Sequence, residues 1–326
     1  MIRILLGTAA AFAVIAAAAI FYVTQPVPGA RPGTVAVPPV EPGRLEGHVR
    51  MLSETLVPRD HAHPENLDRV AAYVSSQLSA AGGRVRDQPF DVQGKTYRNV
   101  VALFGPESYE RIVIGAHYDA AGPLPGADDN ASGVAGLIEL ARLLGKAALP
   151  GRVELVAYTL EEPPYYRTKQ MGSAVHAASL RREGVRVRAM LSLEMIGYFS
   201  DDEGSQRYPV PGLSLFYPSR GDFVVITGHL NAAIITRTIK RAMTEATTLP
   251  VYSMNAPADL PGAVELSDHL NYWLEGYPAV MVSDTAYYRN SHYHLKTDTA
   301  DRLDYRRMAQ VVQGVYAAAI ALAGSE

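Results

Sequence analysis

Arg111-Ile112-Val113-Ile114-Gly115-Ala116-His117-Tyr118-Asp119, followed six residues later by Gly126-Ala127-Asp128-Asp129-Asn130-Ala131-Ser132-Gly133, decides how the chain is read. A β-rich run over Arg111–Ala116 ends in His117-Tyr118-Asp119. The acidic turn then feeds a helical pattern over Ala131–Leu144, and a second β-rich run covers Arg152–Leu160. Strand, turn, helix and strand in that order make one unit of an α/β fold. The alternation continues in both directions. Further strands are expected at Val100–Phe104, Arg188–Met195, Phe223–Thr227 and Ala279–Ser283, and helices at Gly172–Arg182, Asn231–Ala246 and Asp304–Ala323. Before them, Leu67, Val70, Ala71, Val74 and Leu78 recur at helical spacing ahead of a Gly82–Gly83 stop, predicting a helix over Asn66–Ala81. The pattern predicts an α/β sandwich around a mostly parallel sheet. No repeat and no second linker divides residues 46–326.

The chain has 326 residues and a net charge of −3, so it offers no basic field for nucleic acid. Cysteine is absent, which removes disulfides, thiol nucleophiles and Cys-ligated metals. Any metal must be held by His and carboxylates.

From Ile4 to Val23 runs an uncharged apolar stretch preceded by Arg3, long enough to cross a bilayer with its N-terminus in the cytoplasm. Ala17-Ala18-Ala19 offers the rival reading of a cleaved secretory signal. Either way the rest of the chain is exported, to a periplasmic or extracellular location, and the expectation adopted is an uncleaved anchor over residues 1–25. Residues 26–45 include Pro26, Pro28, Pro32, Pro38, Pro39 and Pro42 and read as an extended spacer that holds residues 46–326 off the membrane.

In open α/β sheets, ligands bind beyond the carboxyl ends of the strands. Five segments deliver acidic or imidazole groups there: His117-Tyr118-Asp119, the turn with Asp128-Asp129, Glu161-Glu162, Glu194, and His292-Tyr293-His294. Carboxylates crowded at one sheet edge repel one another unless cations neutralise them, so bound metal is the economical explanation. Oxygen and imidazole donors suit zinc, manganese or cobalt.

His117-x-Asp119, the Gly126–Gly133 turn, Glu161-Glu162, Glu194 and Tyr293-His294-x-x-x-Asp298 together resemble the clan MH zinc exopeptidases, peptidase family M28, over about residues 50–323. The resemblance implies a three-layer α/β/α sandwich with a mixed, mostly parallel sheet of the zinc aminopeptidase type. It implies two Zn2+ ions bridged by Asp129, one completed by His117 and Glu194 and the other by Glu162 and His294. Asp119 would orient an imidazole, Asp128 would cap the turn, Glu161 would be the general base, and the Tyr293 hydroxyl would assist the oxyanion, a packing tyrosine being the competing reading. The family's better-known aminopeptidases carry Asp where this chain has Glu194.

Around the motifs, Asp268 and His269 read either as groups supporting the site or as a helix N-cap. Arg167 and Arg289 read as structural ion pairs ahead of substrate clamps, and Gly204–Pro218 as a loop bordering the pocket. The chain contains no Gly-x-Ser-x-Gly, no His-Glu-x-x-His and no P-loop. The expectation is a membrane-anchored zinc aminopeptidase acting on peptides. Glutaminyl cyclase, carboxypeptidase and a silent binding scaffold stand as alternatives.

Overall fold

The computed structural model describes residues 14–15, 17–257 and 264–324. Eight strands, β1 (Arg84–Val92), β2 (Lys95–Phe104), β3 (Glu110–His117), β4 (Arg152–Tyr158), β5 (Arg186–Glu194), β6 (Val224–His229), β7 (Val251–Ala256) and β8 (Ala279–Ser283), form one sheet in the order β1-β2-β4-β3-β5-β8-β6-β7. The central β4-β3-β5-β8 block is parallel; β2 and β6 join it antiparallel, which makes the sheet mixed. Central strands are buried on both faces and so read as continuous apolar runs. Within β3, Ile112 and Ile114 enter one core and Val113 the other, the period-two alternation of a strand covered on both sides.

The larger core lies under α1 (Pro42–Arg50), α2 (Pro64–Ala80), α3 (Gly133–Leu144), α5 (Ala233–Ala246) and α7 (Tyr305–Gly324); α4 (Gly172–Arg182) and α6 (His269–Leu274) cover the opposite face. Three layers result, as expected. Two edge strands were not anticipated. β1 carries Pro89 and is mostly exposed, and β7 is half-buried, so neither shows the apolar signal that marks a central strand.

The proline-rich segment departs from the expected spacer, because it is laid on the domain. Thr24 O accepts from Lys240 Nζ and Ser253 Oγ, both at 2.7 Å, and the buried Gln25 accepts through Oε1 from Arg237. Further on, Arg241 donates to Pro28 O, Val35 N to Glu245 O, and Arg142 to Pro39 O. Prolines lack an N–H but keep their carbonyls, and here α3 and α5 arginines supply the donors. Of the expected anchor, residues 1–13 and 16 lie outside the described residues; 14–15 and 17–24 are helical and mostly exposed. Among the described residues no helix is long and apolar enough to cross a membrane.

Candidate metal centre at the strand exits

The parallel block brings the sequence motifs to one edge. His117 ends β3, Glu161 and Glu162 follow β4, Glu194 ends β5, and His294 lies in the loop after β8. The 126–132 turn carries Asp129 in among them. His117 Nε2 stands 3.3 Å from Asp129 Oδ1 and 3.3 Å from Glu194 Oε2. His294 Nε2 stands 3.0 Å from Asp129 Oδ2 and 3.2 Å from Glu162 Oε2. Asp129 thus turns one oxygen to each of two donor groups, His117–Asp129–Glu194 and Asp129–Glu162–His294, and the ligand atoms within each lie inside 4.8 Å of one another. Glu161 Oε2 sits farther from His117 Nε2, at 3.9 Å.

These residues fit a pair of divalent cations. His117 Nε2, His294 Nε2 and Glu162 Oε1 are buried without a hydrogen-bond partner, although carboxylate oxygens surround both imidazoles. Donors that converge closely without bonding one another are what metal ligands present. The charge balance agrees. Burial, with Asp129 alongside, pushes Glu162 up to about 7. Burial also raises Glu161 well above the carboxylate range, with Glu194 and Glu162 raising it further and His117 opposing. Asp129 alone is held below its ordinary range, by both histidines and against its own burial. Four buried carboxylates face two imidazoles, which leaves negative charge for cations to neutralise.

Supporting groups hold this arrangement. The Asp119 backbone carbonyl lies 3.2 Å from His117 Nδ1 with its carboxylate at 3.5 Å, and its two carboxylate oxygens accept from the Glu161 and Glu162 backbone N–H groups, so one residue braces an imidazole and the loop of two acids. Ser267 Oγ donates to Glu194 Oε2 at 2.6 Å. Asp298 accepts from the Asp128 and Asp129 backbone N–H groups. Asp128 differs from the expected cap: its carboxylate accepts from Gly197 N and Asn290 Nδ2, tying the turn to two other loops. Asn130 Oδ1 accepts from Gly133 N instead, and a Cβ at Gly133 would meet that oxygen at 2.4 Å. Leu160, Met195 and His294 all have left-handed φ, which places backbone strain at or beside three site acids and imidazoles.

Asp268 is fully buried at the start of α6, makes no capping bond, and lies within electrostatic reach of His117 and Glu194. Burial pushes it up to about 7. Tyr293 stacks on His294 at 3.8 Å between ring centroids and forms one wall of an apolar pocket beside Glu194. The 204–218 loop supplies Tyr208 and Tyr217 to that pocket, opposite Phe223 and Met281. Arg167 pairs with Glu265, while Arg289 is buried against Gln206, the Tyr198 carbonyl and the Phe223 ring, so neither guanidinium is turned to the site.

One contributor escaped sequence reading. Arg59, fully buried, donates to the carbonyls of Tyr118, Asp119, Pro125 and Gly126, joining the loop after His117 to the turn before Asp129. It lies in no motif, and its partners are backbone atoms, which carry no sequence signature.

Comparison with known proteins agrees with this geometry. Peptidase family M28 matches residues 99–319. The chain belongs to peptidase family M28. It is 49% identical over 304 residues to the uncharacterized protein YfbL of Escherichia coli K12, covering 91% of this chain and 92% of that one. It is 26% identical over 264 residues to leucine aminopeptidase 1 of Trichophyton rubrum, covering 74% of this chain but only 63% of that enzyme's length. Its fold is similar to that of BSAP, a zinc aminopeptidase from Bacillus subtilis, with a TM-score of 0.68 at 14% identity, over 86% of this chain and 94% of that one. As an M28 protein the chain is a zinc-dependent hydrolase, and the donor set described above could hold its metal.

Proposed function

We propose that this M28 hydrolase is a two-metal aminopeptidase, held to a membrane by its N-terminal segment with the domain outside the cytoplasm, that removes N-terminal residues from peptides. The observation that carries this reading is Asp129, whose two oxygens face two donor groups, with Glu161 Oε2 close by at 3.9 Å from His117 Nε2. Divalent ions held there would polarise the scissile carbonyl and acidify an attacking water. Glu161, its proton affinity raised by burial, accepts the proton of that water and returns it to the leaving amine. The Tyr293 hydroxyl is available to the carbonyl oxygen as negative charge develops on it. The tyrosine- and phenylalanine-walled pocket beside Glu194 suits a large apolar N-terminal side chain, in keeping with the leucine aminopeptidases among the relatives.

Mass spectrometry of a mixed pool of free-terminus peptides incubated with the protein, with and without a chelator, tests this. Stepwise, chelator-sensitive loss of N-terminal residues, fastest for Leu, Phe and Met, is the expected result. C-terminal trimming would overturn the aminopeptidase reading in favour of a carboxypeptidase. Loss of ammonia from N-terminal Gln would make it a cyclase, and an unchanged pool after zinc reconstitution would leave a binding protein.

A further inference from the structure

We propose that the end of the domain opposite the metal centre, where the parallel strands begin, rests against an anionic lipid surface, so that the catalytic cleft opens away from the membrane. The inference rests on the N-terminal segment being an anchor and adds to it an orientation and a contact face.

The direction of the chain carries the argument. Because β6 runs antiparallel to β8, its last residue, His229, lies at the strand-start end, and α5 then climbs from Ala233 back toward the metal centre. The N-terminal strap meets α5 in the same upward order. Phe21 packs under the Arg237 guanidinium and Gln25 bonds to it, Thr24 bonds to Lys240, Pro28 to Arg241, and Val35 to Glu245. The described residues just before Phe21, 17–20, therefore lie toward the strand-start end. Val14, Ile15, Ile20 and Tyr22 stay exposed there, continuing the uncharged apolar run that begins at Ile4. Thr24 and Gln25 are bonded to the domain, so no free spacer separates this helix from it.

The face the helix enters beside has the chemistry of an interface with lipid. Tyr109, Ile234 and Leu274, at 83%, 79% and 74% exposure, all lie at the strand-start end, before β3, at the start of α5 and at the end of α6. Between them runs a groove lined by Arg181, Arg186 and Arg188 together with Ile234 and Tyr277. Glu110 answers Arg186 and Arg188, and Glu183 and Glu275 are close by in sequence; Arg181, Arg182 and Arg186 remain exposed. Exposed aromatic and aliphatic side chains interleaved with arginines match a headgroup layer, in which the apolar parts insert and the guanidinium groups meet phosphates. The exposed arginines at this end give an anionic surface a point of attraction.

The chain has no cysteine, so single reporters can be introduced without background. Ile234→Cys marks the proposed contact face, and Leu215→Cys, exposed on the loop that borders the pocket, marks the cleft end. The full chain, labelled with a fluorophore, is reconstituted into vesicles of phosphatidylcholine with and without phosphatidylglycerol, and quenching by headgroup-nitroxide lipid is read after flotation. Expected are co-flotation, quenching at position 234 several-fold greater than at 215, and a further rise at 234 with phosphatidylglycerol. Protein that floats but is quenched equally at both positions, or more at 215, overturns the orientation while leaving the anchor intact. Equal quenching at 234 in neutral and anionic vesicles overturns the role given to the arginines. Protein that does not float overturns the anchor and this inference with it.

Discussion

Two sets of buried carboxylates in this molecule stand in contrasting surroundings. In the body of the fold, Glu154 on β4 accepts from Arg111 at 2.5 Å and meets His176 Nε2 at 2.9 Å, and Glu139 on α3 accepts from Arg44 and Arg142, both at 2.8 Å. Despite burial, these partners hold each carboxyl down at about 2. At the strand exits, Asp129, Glu161, Glu162 and Glu194 share two histidines among them, and three of the four are pushed up. At Glu154 and Glu139 the chain supplies its own cations to buried acids. Where four of them converge on two histidines, bound cations would supply the missing positive charge.

The contrast is broken most severely at Asp129, the one residue that faces both donor groups. Asp129→Asn should remove both metals and reduce turnover to background, with metal content by mass spectrometry falling below one ion per chain. Retention of two ions would mean that the two groups do not share this ligand. Glu161→Gln acts on one acid only. It should keep the metal content of the parent and lower kcat about 10²- to 10⁴-fold, the range for loss of a positioned general base. Near-parental kcat would remove Glu161 from proton transfer.

On the other side of the comparison, Glu154 should behave as an ordinary structural pair. Its carboxyl is depressed from an ordinary 4.5 to about 2 in the fold, so its stabilisation is fully present above pH 4.5 and is lost as the pH falls toward 2. Glu154→Gln should therefore lower unfolding free energy by about 3 kcal/mol at pH 7, and by progressively less between pH 4.5 and 2. Urea unfolding across that range, on parent and variant with identical metal content, measures the difference. A gap that does not narrow with acid would show that Glu154 acts by packing and not by charge.

How much of this was readable from the sequence follows from the range of each interaction. The central strands, the α3 turn and the metal-facing acids and imidazoles all sit in short motifs, because a strand and the loop leaving it are continuous in sequence. Edge strands β1 and β7 were missed because exposure blurs their periodicity. The strap was read as a free spacer because proline content reports stiffness and says nothing of the α5 side chains that bind its carbonyls. Asp128 read as a cap because a turn acid before a helix usually is one; its bonds to Gly197 and Asn290 join segments 69 and 162 residues away.

Arg59 sharpens the comparison most finely, since it is a buried cation close to the acids whose side-chain hydrogen bonds all go to backbone carbonyls. Its guanidinium donates to backbone carbonyls on both sides of the metal-bearing loops, and burial lowers its proton affinity although Asp129 and Asp119 oppose that. If its task is to hold the His117 loop against the Asp129 turn, the planar fork matters as well as the charge. Arg59→Lys keeps the charge but cannot reach carbonyls on both loops at once. Metal affinity, read by competition with a chelating dye, should fall about tenfold, the lower end for loss of a residue that positions ligands. The pH dependence of turnover at saturating zinc should stay unchanged. Unchanged metal affinity in Arg59→Lys would instead show that the guanidinium fork does not hold the His117 loop against the Asp129 turn.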